Sequence, residues 1–242
     1  TGWIAWSQYF KELGRNLDMF PRTDSYTGES YSKTSRIDVF DLVSYKTVYD
    51  QIKESSEDVK VYDISPSHCD SRAPKSIKAN SIYDICSTIE ALCSNKDKNF
   101  ILAYTDHPDT ILHKFGCSST QVKDFVLEAQ KEIEAMSKNL ENSDTLLIIS
   151  ADHGHNDIDK CYSSIDLGDL NELFIMPPSL ESRAVTFWIK DGYKEEFANK
   201  FNNKFKNEFL LFTKKEFLEE KHLLGFGTPH KKIDDFIGDF VA

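Results

Sequence analysis

Three features that mark common classes of protein are missing from this chain. No apolar run approaches the roughly 18–20 residues that a membrane-spanning helix needs. No basic stretch followed by an apolar one opens the chain, so we expect no signal peptide in this sequence. Aspartate and glutamate (40) outnumber lysine and arginine (29), giving a net charge of -11. This balance argues against a nucleic-acid polymer as a partner, because such binding needs clustered positive charge.

Cysteine is also scarce, with five among 242 residues. The count is odd, and no two cysteines have C-x-x-C spacing. A disulfide framework or a thiolate zinc site is therefore not expected, and the simplest location is a reducing compartment, the cytoplasm. The five are Cys69, Cys86, Cys93, Cys117 and Cys161.

The most informative stretch that is present is LLIISADHGHN, Leu146–Asn156. Its apolar run Leu146–Ile149 predicts a short strand buried on both faces of a sheet. Asp152 and His153 follow at the end of this strand, where open α/β sheets carry their chemistry. Gly154 allows the backbone to turn sharply behind them. Asp152 and His153 are therefore a candidate metal-binding pair.

A second pair follows a second apolar run. Phe100–Tyr104 predicts another buried strand, and Pro108 suits the first turn of a following helix. In that helix Asp109 and His113 are four residues apart and project from one face, so they can share a cation. The D-x-x-x-H spacing alone is weak evidence. The position of this pair directly after a predicted strand strengthens the interpretation as a metal site.

Carboxylate and neutral imidazole are ligands that suit Zn²⁺, with Mn²⁺ as the alternative where oxygen ligands dominate. Two such cations can polarise a phosphate or sulfate ester and lower the pKa of a bound water. A late histidine, His230, lies in a turn rich in glycine and proline. From its own surroundings His230 is better interpreted as a surface-loop residue.

The order of predicted elements indicates the fold class. Helices and strands alternate, with strands at Val59–Ile64, Phe100–Tyr104 and Thr145–Ser150 and a long helix at Ser118–Leu140. This order predicts a three-layer α/β sandwich with a mostly parallel central sheet flanked by helices. Near the start, apolar residues of Trp3–Leu17 recur at spacings of three and four, which favours a packed amphipathic helix.

These motifs together resemble the alkaline phosphatase superfamily, and most closely its type I phosphodiesterase/nucleotide pyrophosphatase group. The motifs that carry the resemblance are Pro108–His113, Ser150–Gly154 and the late His230. The opening Thr1–Trp3 and the ending Phe236–Asp239 are also similar to bacterial members. The resemblance implies one alkaline phosphatase-like domain over residues 1–242. It would be the C-terminal portion of a larger catalytic domain, without the family's first strand.

The resemblance also implies a set of metal ligands for two divalent cations. Asp109, His113 and His230 would bind one cation, and Asp152 and His153 the other. His155 could equally be a ligand, a supporting group or an exposed side chain, and we leave it outside the predicted ligand set.

In the family, the second site is completed by an aspartate on the first strand and by a threonine or serine nucleophile. Neither has a match in this sequence, so we expect the nucleophile upstream of Thr1. We assign no catalytic residue to the chain, and we expect it to be inactive on its own.

The function implied is that of a two-metal phosphoester hydrolase, a phosphodiesterase/nucleotide pyrophosphatase or phosphatase, that acts on a small phosphoester through a phospho-enzyme. The alternatives are a phosphomutase or sulfatase of the same superfamily and a non-catalytic metal-binding domain. A threonine or serine that opens a helix after an upstream aspartate would favour hydrolysis over the binding domain. Monoester and diester substrates remain equally compatible with these motifs.

Overall fold

The computed structural model divides the chain into two compact units. The first combines residues 1–45 with residues 161–242, and the second comprises residues 46–160. The residues that the structure describes are 3–30, 39–69 and 71–242. No helix within these ranges has the length and apolar character needed to cross a membrane. The assignment of the whole chain to a single domain stays a prediction.

The secondary structure consists of short strands and mostly short helices. The strands are β1 (Ser7–Phe10), β2 (Arg15–Asp18), β3 (Thr23–Asp24), β4 (Val59–Ser65), β5 (Lys75–Lys78), β6 (Lys98–Ala103), β7 (Phe174–Glu181), β8 (Ala184–Ile189), β9 (Phe212–Thr213) and β10 (Phe240–Val241). The α-helices are α1 (Val39–Leu42), α2 (Val48–Ser55), α3 (Ile82–Cys93), α4 (Asp109–Phe115), α5 (Thr120–Asn139), α6 (Lys194–Phe205) and α7 (Ile233–Phe236). A 3-10 helix spans Gly168–Leu173 and a π-helix spans Glu216–Glu220.

The first unit contains a seven-stranded antiparallel sheet in the order β3-β2-β1-β7-β8-β10-β9. The prediction of a mostly parallel sheet is therefore wrong for the larger sheet. Residues 11–14 link β1 to β2, and residues 182–183 link β7 to β8. Connections this short permit only antiparallel pairing, since a parallel crossover needs a dozen or more residues.

The segment Trp3–Leu17 forms a hairpin rather than the predicted helix. Gln8 and Phe10 are buried while the residues between and before them are half-buried, which is the alternation of a strand. Gly14 ends the turn with φ 64°, a left-handed conformation that glycine adopts at no steric cost. Spacings of three and four among the aromatic residues could not separate the two structures, because the segment is short and rich in large apolar side chains.

Aromatic side chains dominate one of the buried clusters of the first unit. Helix α6 places Phe197, Phe201 and Phe205 on one face, at successive spacings of four. These rings pack on Phe174 and Phe187 from β7 and β8. Burial of these apolar rings therefore stabilises the packing of α6 on β7 and β8.

Gly238 and Asp239, near the end of the chain, lie close to the backbone of β8 and are hydrogen-bonded to it. The Gly238 amide donates to Thr186 Oγ1 at 2.7 Å, and the Asp239 amide donates to the Phe187 carbonyl at 2.8 Å. The Asp239 carboxylate accepts the Ile189 amide at 2.8 Å. A Cβ at position 238 would overlap the Phe187 backbone, so glycine is required there.

The second unit carries a three-stranded parallel sheet in the order β5-β4-β6, and it retains the predicted alternation of helices and strands. Ile64 of β4 packs with Ile85 of α3 and Met136 of α5. On the neighbouring residue, Asp63, the carboxylate accepts the Tyr49 hydroxyl of α2 at 2.8 Å. Consecutive strand residues point to opposite faces, so helices cover both faces of this sheet.

The predicted strand at Thr145–Ser150 is absent from the described structure. Its backbone has no regular secondary structure, and Leu146, Ile148 and Ile149 are 84%, 77% and 66% exposed. Only Leu147 packs on the core of the second unit. Among the described strands β6 pairs with β4 alone, so no neighbouring strand covers this apolar segment. An apolar run predicts a buried strand only where a partner strand is available.

Candidate metal centre

Helix α4 presents the first two predicted ligands. It starts at Asp109 after Pro108, and its first turn is supported by the Thr110 hydroxyl, which donates to the Asp106 carbonyl at 3.0 Å. Asp109 and His113 lie one turn apart, and His113 Nε2 is 3.4 Å from Asp109 Oδ1. The structure thus brings these two side chains together as the helical spacing predicts.

The segment after Ser150 brings further imidazoles to the same carboxylate. His155 Nε2 lies 2.6 Å from Asp109 Oδ1, and His153 Nε2 lies 3.9 Å from it. The His155 ring is in edge contact with the His113 ring, with 4.8 Å between their centroids. Three Nε2 atoms therefore surround one carboxylate oxygen.

The proton positions on His153 favour metal binding through Nε2. His153 Nδ1 is 3.1 Å from the Gly154 carbonyl oxygen. A carbonyl oxygen only accepts hydrogen bonds, so the ring proton belongs on Nδ1 and the lone pair on Nε2. This is the arrangement in which a backbone carbonyl orients a ligating histidine.

Asp152 stays beside His153 but apart from the central group. Its carboxylate accepts the His153 amide at 3.0 Å and lies 3.7 Å from His153 Nε2. The group whose ligand atoms all lie within 4.8 Å of one another consists of Asp109, His113 and His155. The assignment of Asp152 and His153 to a second cation remains a prediction.

His230 lies in the first unit, whereas the other predicted ligands lie in the second, so its part in the metal site also remains a prediction. The Lys232 amide donates to His230 Nδ1 at 3.2 Å, and the ring lies nearly parallel to Phe236. Burial lowers the pKa of His230 from its usual value, which favours the neutral ring.

His155 was missed as a member of the group. Its side chain is 17% exposed, against 70% for His113, so it is the better enclosed of the two imidazoles. The available signal was its position two residues after His153. In extended chain such residues point to the same side.

The donor set fits a divalent cation. One carboxylate and two imidazoles are a ligand set of catalytic zinc sites, which keep a further position open for water or substrate. Nearby, burial and then the charges of Cys69 and of neighbouring carboxylates, among them Asp152, raise the pKa of Tyr104. Its hydroxyl therefore keeps its proton at neutral pH.

The fold and these side chains define an α/β protein with residues arranged to hold a cation. Residues 6–241 match the family described as type I phosphodiesterase / nucleotide pyrophosphatase. The chain belongs to this family, which confirms the resemblance to the alkaline phosphatase superfamily. Comparison with curated proteins finds no significant match.

Two solved structures share the fold. Murine ectonucleotide pyrophosphatase/phosphodiesterase 5 matches with a TM-score of 0.59 at 15% identity, and an inactive variant of it in complex with AMP matches with the same score at 16% identity. Each match covers 99% of this chain and 61% of the murine chain. The chain thus spans about three fifths of the length of these structures.

Proposed function

We propose that this chain contributes the metal-binding part of a phosphodiesterase/nucleotide pyrophosphatase that hydrolyses small phosphoesters. The observation that carries the proposal is the convergence of three imidazole Nε2 atoms, at 2.6, 3.4 and 3.9 Å, on Asp109 Oδ1 in a member of this family. The AMP complex of the murine structure supports nucleotide phosphoesters as the substrate class.

The residues divide into two ligand groups. By the family motif, Asp109, His113 and His230 would hold the first of two divalent cations. Asp152 and His153 would hold the second. Zinc suits this mixture of imidazole and carboxylate, with Mn²⁺ as the alternative. When bound, such cations polarise the phosphoryl group and lower the pKa of a coordinated water or hydroxyl.

The chain's own residues position and balance charge around the phosphoryl group. The Asp109 carboxylate would offset the positive charge of a bound cation. The Gly154 carbonyl holds the His153 ring with its Nε2 lone pair directed away from the backbone. The protonated Tyr104 hydroxyl is available to donate a hydrogen bond to a phosphoryl oxygen.

We infer that the nucleophile of a phospho-enzyme pathway is a threonine or serine outside this sequence, because the family's nucleophile motif has no match in it. The 242-residue chain on its own is then a poor catalyst. Transfer through an attacking hydroxyl needs that group held in line with the leaving oxygen, and we assign no residue here to this role.

The proposal is tested with the full-length protein and bis(p-nitrophenyl) phosphate in the presence of zinc. Replacing Asp109 with Ala should lower kcat/KM by about 10²–10⁴-fold, since charge stabilisation by a bound cation is worth several kcal/mol. Asp124→Ala, an exposed change on α5, is the matched control and should leave the rate unchanged. Equal turnover after removal of metal by EDTA would contradict the proposal.

A further inference from the structure

The second unit places beside Asp109 and His113 a histidine that the family motif does not include among the ligands. This residue is His155, and one ligand atom from each of the three residues lies within 4.8 Å of the others. All three residues belong to the unit of residues 46–160.

His155 has the shortest contact with Asp109 of the surrounding imidazoles. Its Nε2 lies 2.6 Å from Asp109 Oδ1, whereas His113 Nε2 lies 3.4 Å away. A cation bound between these atoms would take the place of the contact between His155 Nε2 and Asp109 Oδ1. Ligand atoms about 3.3 Å apart surround a tetrahedral zinc, given bond lengths of about 2.0 Å. Small side-chain movements are enough to reach that geometry.

A hydrogen bond two residues beyond His155 connects this segment to the end of α4. Asp157, two residues further on, accepts the Cys117 amide at 2.8 Å just beyond the end of α4. Gly116 permits this approach, because a Cβ there would lie 3.1 Å from the Asp157 carboxylate oxygen. Helix α4 carries Asp109, so this bond ties the His155 segment to the helix that supplies its partners.

We propose that His155 is a direct metal ligand in the same site as Asp109 and His113, in addition to the ligands that the family motif implies. The inference deepens the proposed function and rests on it for the role of the site in catalysis. The binding of zinc itself does not depend on phosphoester hydrolysis.

Zinc titration calorimetry of the 242-residue chain tests the assignment without any turnover. His155→Ala should weaken zinc binding by at least about 100-fold, more than removal of a supporting group usually does. His222→Ala is the matched control in the first unit, where the ring of His222 packs on Phe226 and should leave the affinity within threefold of wild type. Unchanged affinity in His155→Ala would overturn the proposal.

A second measurement uses the wild-type chain and so does not depend on the folding of a variant. In chain labelled with ¹⁵N-histidine, zinc should remove the Nε2 proton of His155 and move its ¹⁵N resonance to the metal-bound range. The resonance is assigned with His155→Gln. If His155 Nε2 keeps its proton in the zinc-loaded chain, His155 is a supporting group and the proposal is wrong. Loss of phosphoesterase activity with intact zinc binding would count only against the proposed function.

Discussion

Removal of one ring from the core of the first unit should have a large and measurable effect on stability. Phe197 is fully buried, and its ring lies between 5.2 and 5.8 Å, centroid to centroid, from four others. They are Phe174, Phe187, Phe201 and Phe240. Phe197→Ala removes these contacts and leaves a cavity that surrounding rings fill only in part. We expect the free energy of unfolding to fall by about 3–5 kcal/mol.

Urea unfolding followed by tryptophan fluorescence is the suitable assay. The three tryptophans of the chain, Trp3, Trp6 and Trp188, all lie in the first unit, so the signal reports on that unit. With a urea dependence of about 1–3 kcal/mol per molar, the midpoint should fall by roughly 2 M. Whole-chain signals would mix the transitions of two units.

The matched control is the same substitution at an exposed ring. Phe226 in the first unit is 89% exposed, and Phe226→Ala should change the free energy of unfolding by less than about 0.5 kcal/mol. A loss below about 1 kcal/mol for Phe197→Ala, or equal losses for both variants, would refute the assignment of the core.

Two further predictions concern the first unit. Gly238→Ala should lower the free energy of unfolding by about 2–3 kcal/mol, because the new Cβ meets the Phe187 backbone; Gly227→Ala, with open space around it, is the control in the same urea assay. The Thr27 amide donates a hydrogen bond to the Asp24 carboxylate, and this bond holds the pKa of the Asp24 carboxyl below its usual range. The charged form therefore stabilises the fold above about pH 4, and this stabilisation disappears as pH falls through the folded-state pKa. Asp24→Asn should cost about 1 kcal/mol at pH 7 and nothing in strong acid; a pH-independent difference would contradict this account.

Local patterns predicted the elements of the second unit better than the larger sheet. Helix α5 follows from its apolar spacing and from Ser119, whose side chain accepts the Val122 amide at its start. The strand-type runs at β4 and β6 are found, but the run Thr145–Ser150 is exposed. Whether an apolar run is covered depends on which other strands reach it, and that is decided by distant contacts.

In the candidate metal site, too, local contacts were predictable from the sequence and distant ones were not. Asp109 and His113 are neighbours through helical geometry alone, so spacing was sufficient to pair them. Contact between Asp109 and the histidines around Gly154 spans more than forty positions, and only the family motif indicated it. For His155 the sequence is equally compatible with a ligand, a supporting group and an exposed side chain, although its separation of two from His153 was a usable geometric signal.

The exposed run at Leu146–Ile149 also affects how the chain behaves at high concentration. This run is uncharged, apolar and free of proline, and it lies in a unit whose strand β6 pairs on one side only among the described strands. Such segments promote self-association through strand pairing between molecules. The net charge of -11 opposes this by mutual repulsion, which acts over about 10 Å at 0.1 M salt. Colloidal stability of the chain therefore decreases as ionic strength rises.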